Sequence, residues 1–441
     1  MSERAASLLA ELDLAVRGSH PDRAAEAAME AFREKVPASE VVRAAARAFA
    51  ACDDGGAGAP RALVALGSAL SLGTVLPQRL QPLPILQAVS FAASGKKADR
   101  PPKSPAVVSG EVTHLGRSFV FAVRAGDQAE AESIFLGMLP EGKERKMAGD
   151  MLFRAAIEDM GEGGRKLMIS VKAWQLARAL GFRDARLLLR PAVRYLVRGP
   201  RDRAPFEAIL AALGKEWVDL EALASGGRPL DAGSRGVVRG IAAARDPLTA
   251  IAGTLSLLRE GYAAVSIAEG LVVEAARRVI AAQGDPLDAA RGLMYAHAAR
   301  SVLAFSRTNE RLYALFQAVL RVRSPEPSLP TIPDASLGES EGLRHLTEEL
   351  DARRPVESVA QAGAYLARGH AASRLLDLLA NYACRDSAIA NDAINLIFAD
   401  VCATEFLASK APEIPMALAK VMAASPRDGA AFASWAPRLP A

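Results

Sequence analysis

The sequence predicts an all-α fold, built as two packed helical halves related by a pseudo-two-fold axis. Three observations predict it. Hydrophobic residues make up 51% of the chain but aromatics only 5%, so Ala and Leu must fill the interior, and these lose little side-chain entropy on entering a helix. Apolar residues recur at helical spacing along most of the chain. Finally, residues 45–91 align without a gap on residues 275–321, an offset of 230 that pairs Arg47 with Arg277, Arg61 with Arg291, Leu63 with Leu293 and Ser71 with Ser301. The run Gln87-Ala88-Val89 returns as Gln317-Ala318-Val319, and a His-Leu pair follows each copy at His114 and His345. Two large copies of this kind predict a pseudo-dimer, divided as residues 1–230 and 231–441, rather than a solenoid of many short repeats.

The elements follow in chain order. The N-terminal segment carries Glu3, Arg4 and Glu11 within an apolar pattern and reads as a surface helix, not a signal peptide. Residues 24–36 and 39–52 form amphipathic helices, the second capped by Ser39. Residues 62–76 and 83–91 are apolar nearly all round and belong at the centre. The charge-free run 62–78 contains Ser, Gly, Thr and Pro, which favours a buried helix over a membrane span. The Lys-, Pro- and Gly-rich stretch 94–110 is a loop, because proline removes a donor and clashes with the preceding turn. Helical spacing resumes near Val112, and Asp127 opens the next helix.

After Gly163-Gly164 a strong helix places Leu167, Val171 and Trp174 on one stripe. Gly-rich residues 226–239 read as the junction between halves. Helices over 265–282, 289–305 and 311–323 then repeat the earlier plan, and a second Pro-rich loop spans 324–340. Helices at 343–350, 356–368, 371–383 and 390–407 close the chain.

Composition limits function. The net charge is +4, from 54 basic and 50 acidic residues that mostly alternate. A solvated helix face accounts for that pattern better than a nucleic-acid surface, which would need a basic stripe with interleaved aromatics. Three scattered cysteines, Cys52, Cys384 and Cys402, form neither a disulfide framework nor a zinc site, and suit a reducing, cytoplasmic compartment. Neither a metal nor an organic cofactor is expected. No nucleic acid or membrane partner is expected either.

Five histidines are available: His20, His114, His297, His345 and His370. His297 stands out, within Tyr295-Ala296-His297-Ala298, on an otherwise apolar helix that the repeat makes central. A neutral imidazole there can serve as base or donor; the commoner fate of such a histidine is a satisfied core residue. Its counterpart in the first half is Gly67, so any chemistry is asymmetric. Arg165 and Lys172 lie seven residues apart on one helix face and, if buried, must meet an anion or a ligand; a solvated basic edge is the alternative. Asp392 opens a later helix, where an Asp commonly caps.

The order of segments resembles the questin-oxidase-like family. The segments are 60–67 with Pro60-Arg61-Ala62-Leu63, then Arg165 to Ala173, then Tyr295-Ala296-His297-Ala298, Phe316-Gln317-Ala318, and Asp392-Ala393-Ile394-Asn395. Arg165 and Lys172 stand where that family has histidines, and Asp392 and Asn395 replace a late His and Lys; His297 keeps the pattern. The resemblance implies an all-helical oxidoreductase acting on aromatic compounds with little or no cofactor. On that basis His297 is the candidate acid or base, and Arg165, Lys172, Tyr295, Gln317 and Asp392 are candidate ligand-binding residues. The expected ligand is a small apolar or aromatic, possibly anionic, molecule held between the halves. The alternative is a non-catalytic interaction protein that presents its helices to a protein partner and has no enclosed cavity.

Overall fold

Four helices, two from each half of the sequence, form the centre: Arg61–Gly73, Gly161–Ala179, Leu287–Phe305 and Ile394–Ser409. In the computed structural model, which describes residues 2–53, 58–95, 103, 105–140, 142–333, 337–425 and 430–439, the first and third of these each pack against both the second and the fourth. The sequence makes them central because each is apolar around most of its circumference. Leu63, Val64, Leu66, Leu167, Trp174, Leu293, Phe398 and Val401 are all buried. Their polar exceptions must find partners inside the protein.

The remaining helices form a shell. Glu3–Arg17, Pro21–Arg33, Ala38–Cys52 and Pro82–Ser94 pack on one another and against Arg61–Gly73, while Val112–Ala125, Gln128–Met138, Lys146–Ile157 and Arg190–Arg198 back Gly161–Ala179. Ala232–Ala243, Pro247–Arg259, Ala264–Ala281 and Leu312–Val322 surround Leu287–Phe305. Pro355–Ala367, Ala372–Ala383 and Glu413–Ala424 gather around Ile394–Ser409. Among the described residues there is no strand, only an isolated bridge between Arg228 and Tyr262. No described helix is long and apolar enough to cross a membrane.

Several expectations are met locally. Asp127 caps Gln128–Met138, its carboxylate accepting from the Glu130 amide at 2.9 Å. The Pro-rich stretch 324–338 is irregular where described; residues 96–102 and 104 of the first expected loop and residues 334–336 of the second lie outside the described residues.

The glycine-rich stretch 226–239, read as the junction between halves, runs into a helix, Ala232–Ala243, with Ser234, Val238, Ile241 and Ala242 buried along one stripe. Asp231 and Ser234 form a reciprocal capping box there, and the buried stripe plus the cap outweigh a penalty of about 1 kcal/mol per helical glycine. Ser39 is no cap, because Ala38–Cys52 already starts one residue earlier, after Pro37. Asp392 does not cap Ile394–Ser409 either; it sits at φ 59° just before the N-cap residue Ala393, itself at φ 58°.

That last turn has a counterpart. Glu162, Gly163 and Gly164, at φ 52°, 72° and 83°, form a left-handed turn inside the first residues of Gly161–Ala179. Asp392 and Ala393 follow Glu162 and Gly163 at the offset of 230. Left-handed backbone costs an L-residue roughly 1–2 kcal/mol, so its use at both positions needs a structural reason.

Candidate functional site

The two left-handed turns lie on the wall of one cavity of about 700 Å³. Its wall draws on both halves of the sequence and includes residues of all four central helices. Gly164 brings its backbone against the Tyr295 ring: a Cβ at Gly164 would lie 2.2 Å from Tyr295 Cε2. Glycine and left-handed backbone together therefore let the tyrosine reach the wall. Tyr295 is 1% exposed, and its buried hydroxyl has no hydrogen-bond partner among the described residues. Burial pushes that phenol well above its ordinary range, so it stays a neutral donor.

Four arginines line the cavity: Arg61, Arg165, Arg291 and Arg353. Arg61 pairs with Asp392, and Arg165 with Glu162, which also accepts from the Tyr195 hydroxyl at 2.8 Å. Burial, then the nearby guanidinium of Arg165 and next that of Arg291, lower the pKa of Arg61 against the pull of Glu162. Arginine nevertheless remains charged, so three cations converge on one space. Arg353 is exposed and donates to the Ser425 carbonyl at 3.3 Å. Arg291 is half-buried and makes no hydrogen bond or ion pair with any described residue. The rest of the wall is apolar, with Met168, Leu287, Met294, Ile394, Ile397 and Val421.

The candidate residues divide accordingly. Arg165, Tyr295 and Asp392 line the cavity; His297, Lys172 and Gln317 do not. Lys172 meets a protein anion: its Nζ lies 2.6 Å from Asp400 Oδ2, joining Gly161–Ala179 to Ile394–Ser409 with both side chains almost fully buried. Burial opposes the charge on Asp400, but Lys172 and then the Ser71 and Ser68 hydroxyls hold its carboxyl below the usual range.

His297 Nδ1 lies 2.5 Å from Glu405 Oε1, and Arg300 Nε lies 2.8 Å from Glu405 Oε2. Burial, aided by the charge of Lys172, lowers the His297 pKa despite Glu405. The imidazole is accordingly neutral at pH 7, with Nδ1–H donating to the carboxylate. Its Nε2 is buried with no partner among the described residues. Gln317 donates from Nε2 to the Ile157 carbonyl at 3.2 Å, and Gln87, 230 positions earlier, donates to the Cys384 carbonyl at 3.0 Å. Both glutamines thus tie a buried carbonyl distant in sequence.

Arg61, Arg291, Glu162 and Met294 were not singled out as site residues from the sequence. For the two arginines a signal existed, because the same residue recurs at the offset of 230. Glu162 carries no such mark, since its role depends on a left-handed turn. Chemically, the cavity can bind an anion, donate one neutral hydrogen bond from Tyr295, and bury an apolar body. Compared with protein-family models, with curated proteins and with solved structures, the chain matches none.

Proposed function

We propose that this chain is a small-molecule-binding protein that holds an amphipathic anionic ligand between two halves derived from an internal duplication. The observation that carries the proposal is the cavity of about 700 Å³ whose wall combines converging arginines with methionine and aliphatic side chains. Its volume falls within the range of about 300–1,000 Å³ usual for ligand pockets. The duplication is supported by Arg61 and Arg291 meeting on one wall, by left-handed turns at residues 162–164 and 392–393, and by the paired roles of Gln87 and Gln317.

Binding is favoured over the oxidation that the family resemblance implies, because no histidine is among the described residues of the wall. His297 is occupied by Glu405 and serves the core. A concave cavity of this size likewise favours binding over a purely scaffolding role.

Fluorescence titration with the neutral apolar probe N-phenyl-1-naphthylamine tests this. Saturable enhancement at one site is expected in the native protein. Met168→Trp, which fills the wall, should abolish it while leaving the far-UV circular dichroism unchanged. A non-saturable signal, or one indifferent to the tryptophan, would overturn the proposal.

A further inference from the structure

We infer that the ligand carries one negative charge, a carboxylate, and that Arg291 is the residue that binds it. The inference rests on the binding function proposed above and adds the chemical class of the ligand. Its basis is the charge inventory of the wall. Arg61 is matched by Asp392 and Arg165 by Glu162. Asp285, the third acid of the wall, accepts the Leu287 amide at 2.9 Å. Arg353 is exposed. Arg291 alone is a half-buried guanidinium that neither donates to nor pairs with any described residue. A guanidinium on the cavity wall with no carboxylate partner is the open position for an anionic group, to which it is drawn by charge.

A single charge fits better than two. A dianion would bring its second charge beside Glu162 and Asp392, which already occupy the guanidiniums of Arg165 and Arg61 and leave little attraction for another anion. The planar guanidinium matches a carboxylate through two parallel N–H···O bonds. On the same wall the Tyr295 hydroxyl, one helical turn from Arg291, and the side-chain amide of Asn391 are buried without partners among the described residues. These supply polar contacts to the ligand beyond its anionic end.

Displacement of N-phenyl-1-naphthylamine by three isosteric compounds separates the possibilities: 1-naphthoate, 1-naphthamide and 1-naphthyl phosphate, at pH 8. Naphthoate should bind at least tenfold tighter than the amide. Arg291→Gln should reduce naphthoate to the affinity of the amide and leave the amide unchanged, while Arg291→Lys should restore part of the difference. The phosphate, a dianion at that pH, should bind no tighter than naphthoate. In Asp392→Asn, which releases Arg61, the phosphate should gain relative to naphthoate.

Equal binding of acid and amide would overturn the inference while the binding function stands. A preference for the acid that survives Arg291→Gln would overturn the role of Arg291, and a phosphate bound tenfold tighter than naphthoate would overturn the single charge. Failure of the neutral probe itself to bind would remove the proposed function and this inference with it.

Discussion

Gly164 and Tyr295 compete for the same space, and the glycine resolves the competition by having no side chain. Gly164→Ala places a Cβ 2.2 Å from the ring at φ 83°. Left-handed strain and overpacking together should destabilise the protein by about 2–4 kcal/mol, measured by urea denaturation. Gly181, at φ 70° with nothing within 4 Å of an added Cβ, should lose only the conformational part, roughly 1 kcal/mol. Similar losses at both positions would mean that the close approach to Tyr295 is unimportant.

Among the charged residues, Lys172→Met leaves Asp400 buried and uncompensated, which should cost about 3–5 kcal/mol; adding Asp400→Leu should recover most of it. The pH dependence follows from the directions of the shifts. The pKa of His297 is below its ordinary value of 6.5. The unfolded chain therefore takes up the proton first as the pH falls, and native stability declines from about pH 7 downward. The Asp400 and Glu405 carboxyls are also held low. Their contribution is complete above the unfolded carboxylate range and is lost as the pH falls towards and through the folded values. His297→Gln should flatten the urea midpoint between pH 7 and pH 5, while the Asp400 part of the acid limb, held by Lys172, stays in place. An unchanged slope would show that His297 does not titrate on unfolding.

At the scale of elements, helices were legible wherever a buried stripe recurred at helical spacing. Leu167, Val171 and Trp174 announced their helix, and the charge-free run from Ala62 became a buried central one. What could not be read was backbone conformation that sequence identity does not demand. Asp392 and Ala393 take left-handed φ values although neither is glycine, so an apparent cap proved to be a turn that turns its carboxylate to Arg61. Glycine content also hid a helix start at 226–239, because the capping box of Asp231 and Ser234 lies within that stretch. Asp231→Ala and Ser234→Ala should each lower the urea midpoint, and the double variant should lose less than the sum, since either change breaks the same reciprocal pair.

For the molecule as a whole, the site was half legible. Arg165, Tyr295 and Asp392 reach the cavity, whereas Lys172, His297 and Gln317 found partners inside the protein. One-dimensional pattern picked out two of the central helices, Arg61–Gly73 and Leu287–Phe305, but placed Pro82–Ser94 there too, which is buried yet belongs to the shell, and it did not show which side of each helix faces open space. That depends on how four helices meet, and an isolated sequence stripe does not encode it. Because each half contributes two of the four, residues 1–230 and 231–441 expressed separately should aggregate, and co-expressed they should purify as a one-to-one complex. A monodisperse, cooperatively unfolding half would refute that interdependence.

The methionines of the wall bear on selectivity. Thioether side chains are long, unbranched and polarisable, and Met168 and Met294 can change shape at little cost, whereas the guanidiniums that share the wall with them are fixed in charge. A wall of this make-up discriminates by electrostatics and accommodates contour: carboxylates that differ in ring number or branching should fall within a narrow span of affinities, so tolerance of shape is built into the same surface that enforces the charge.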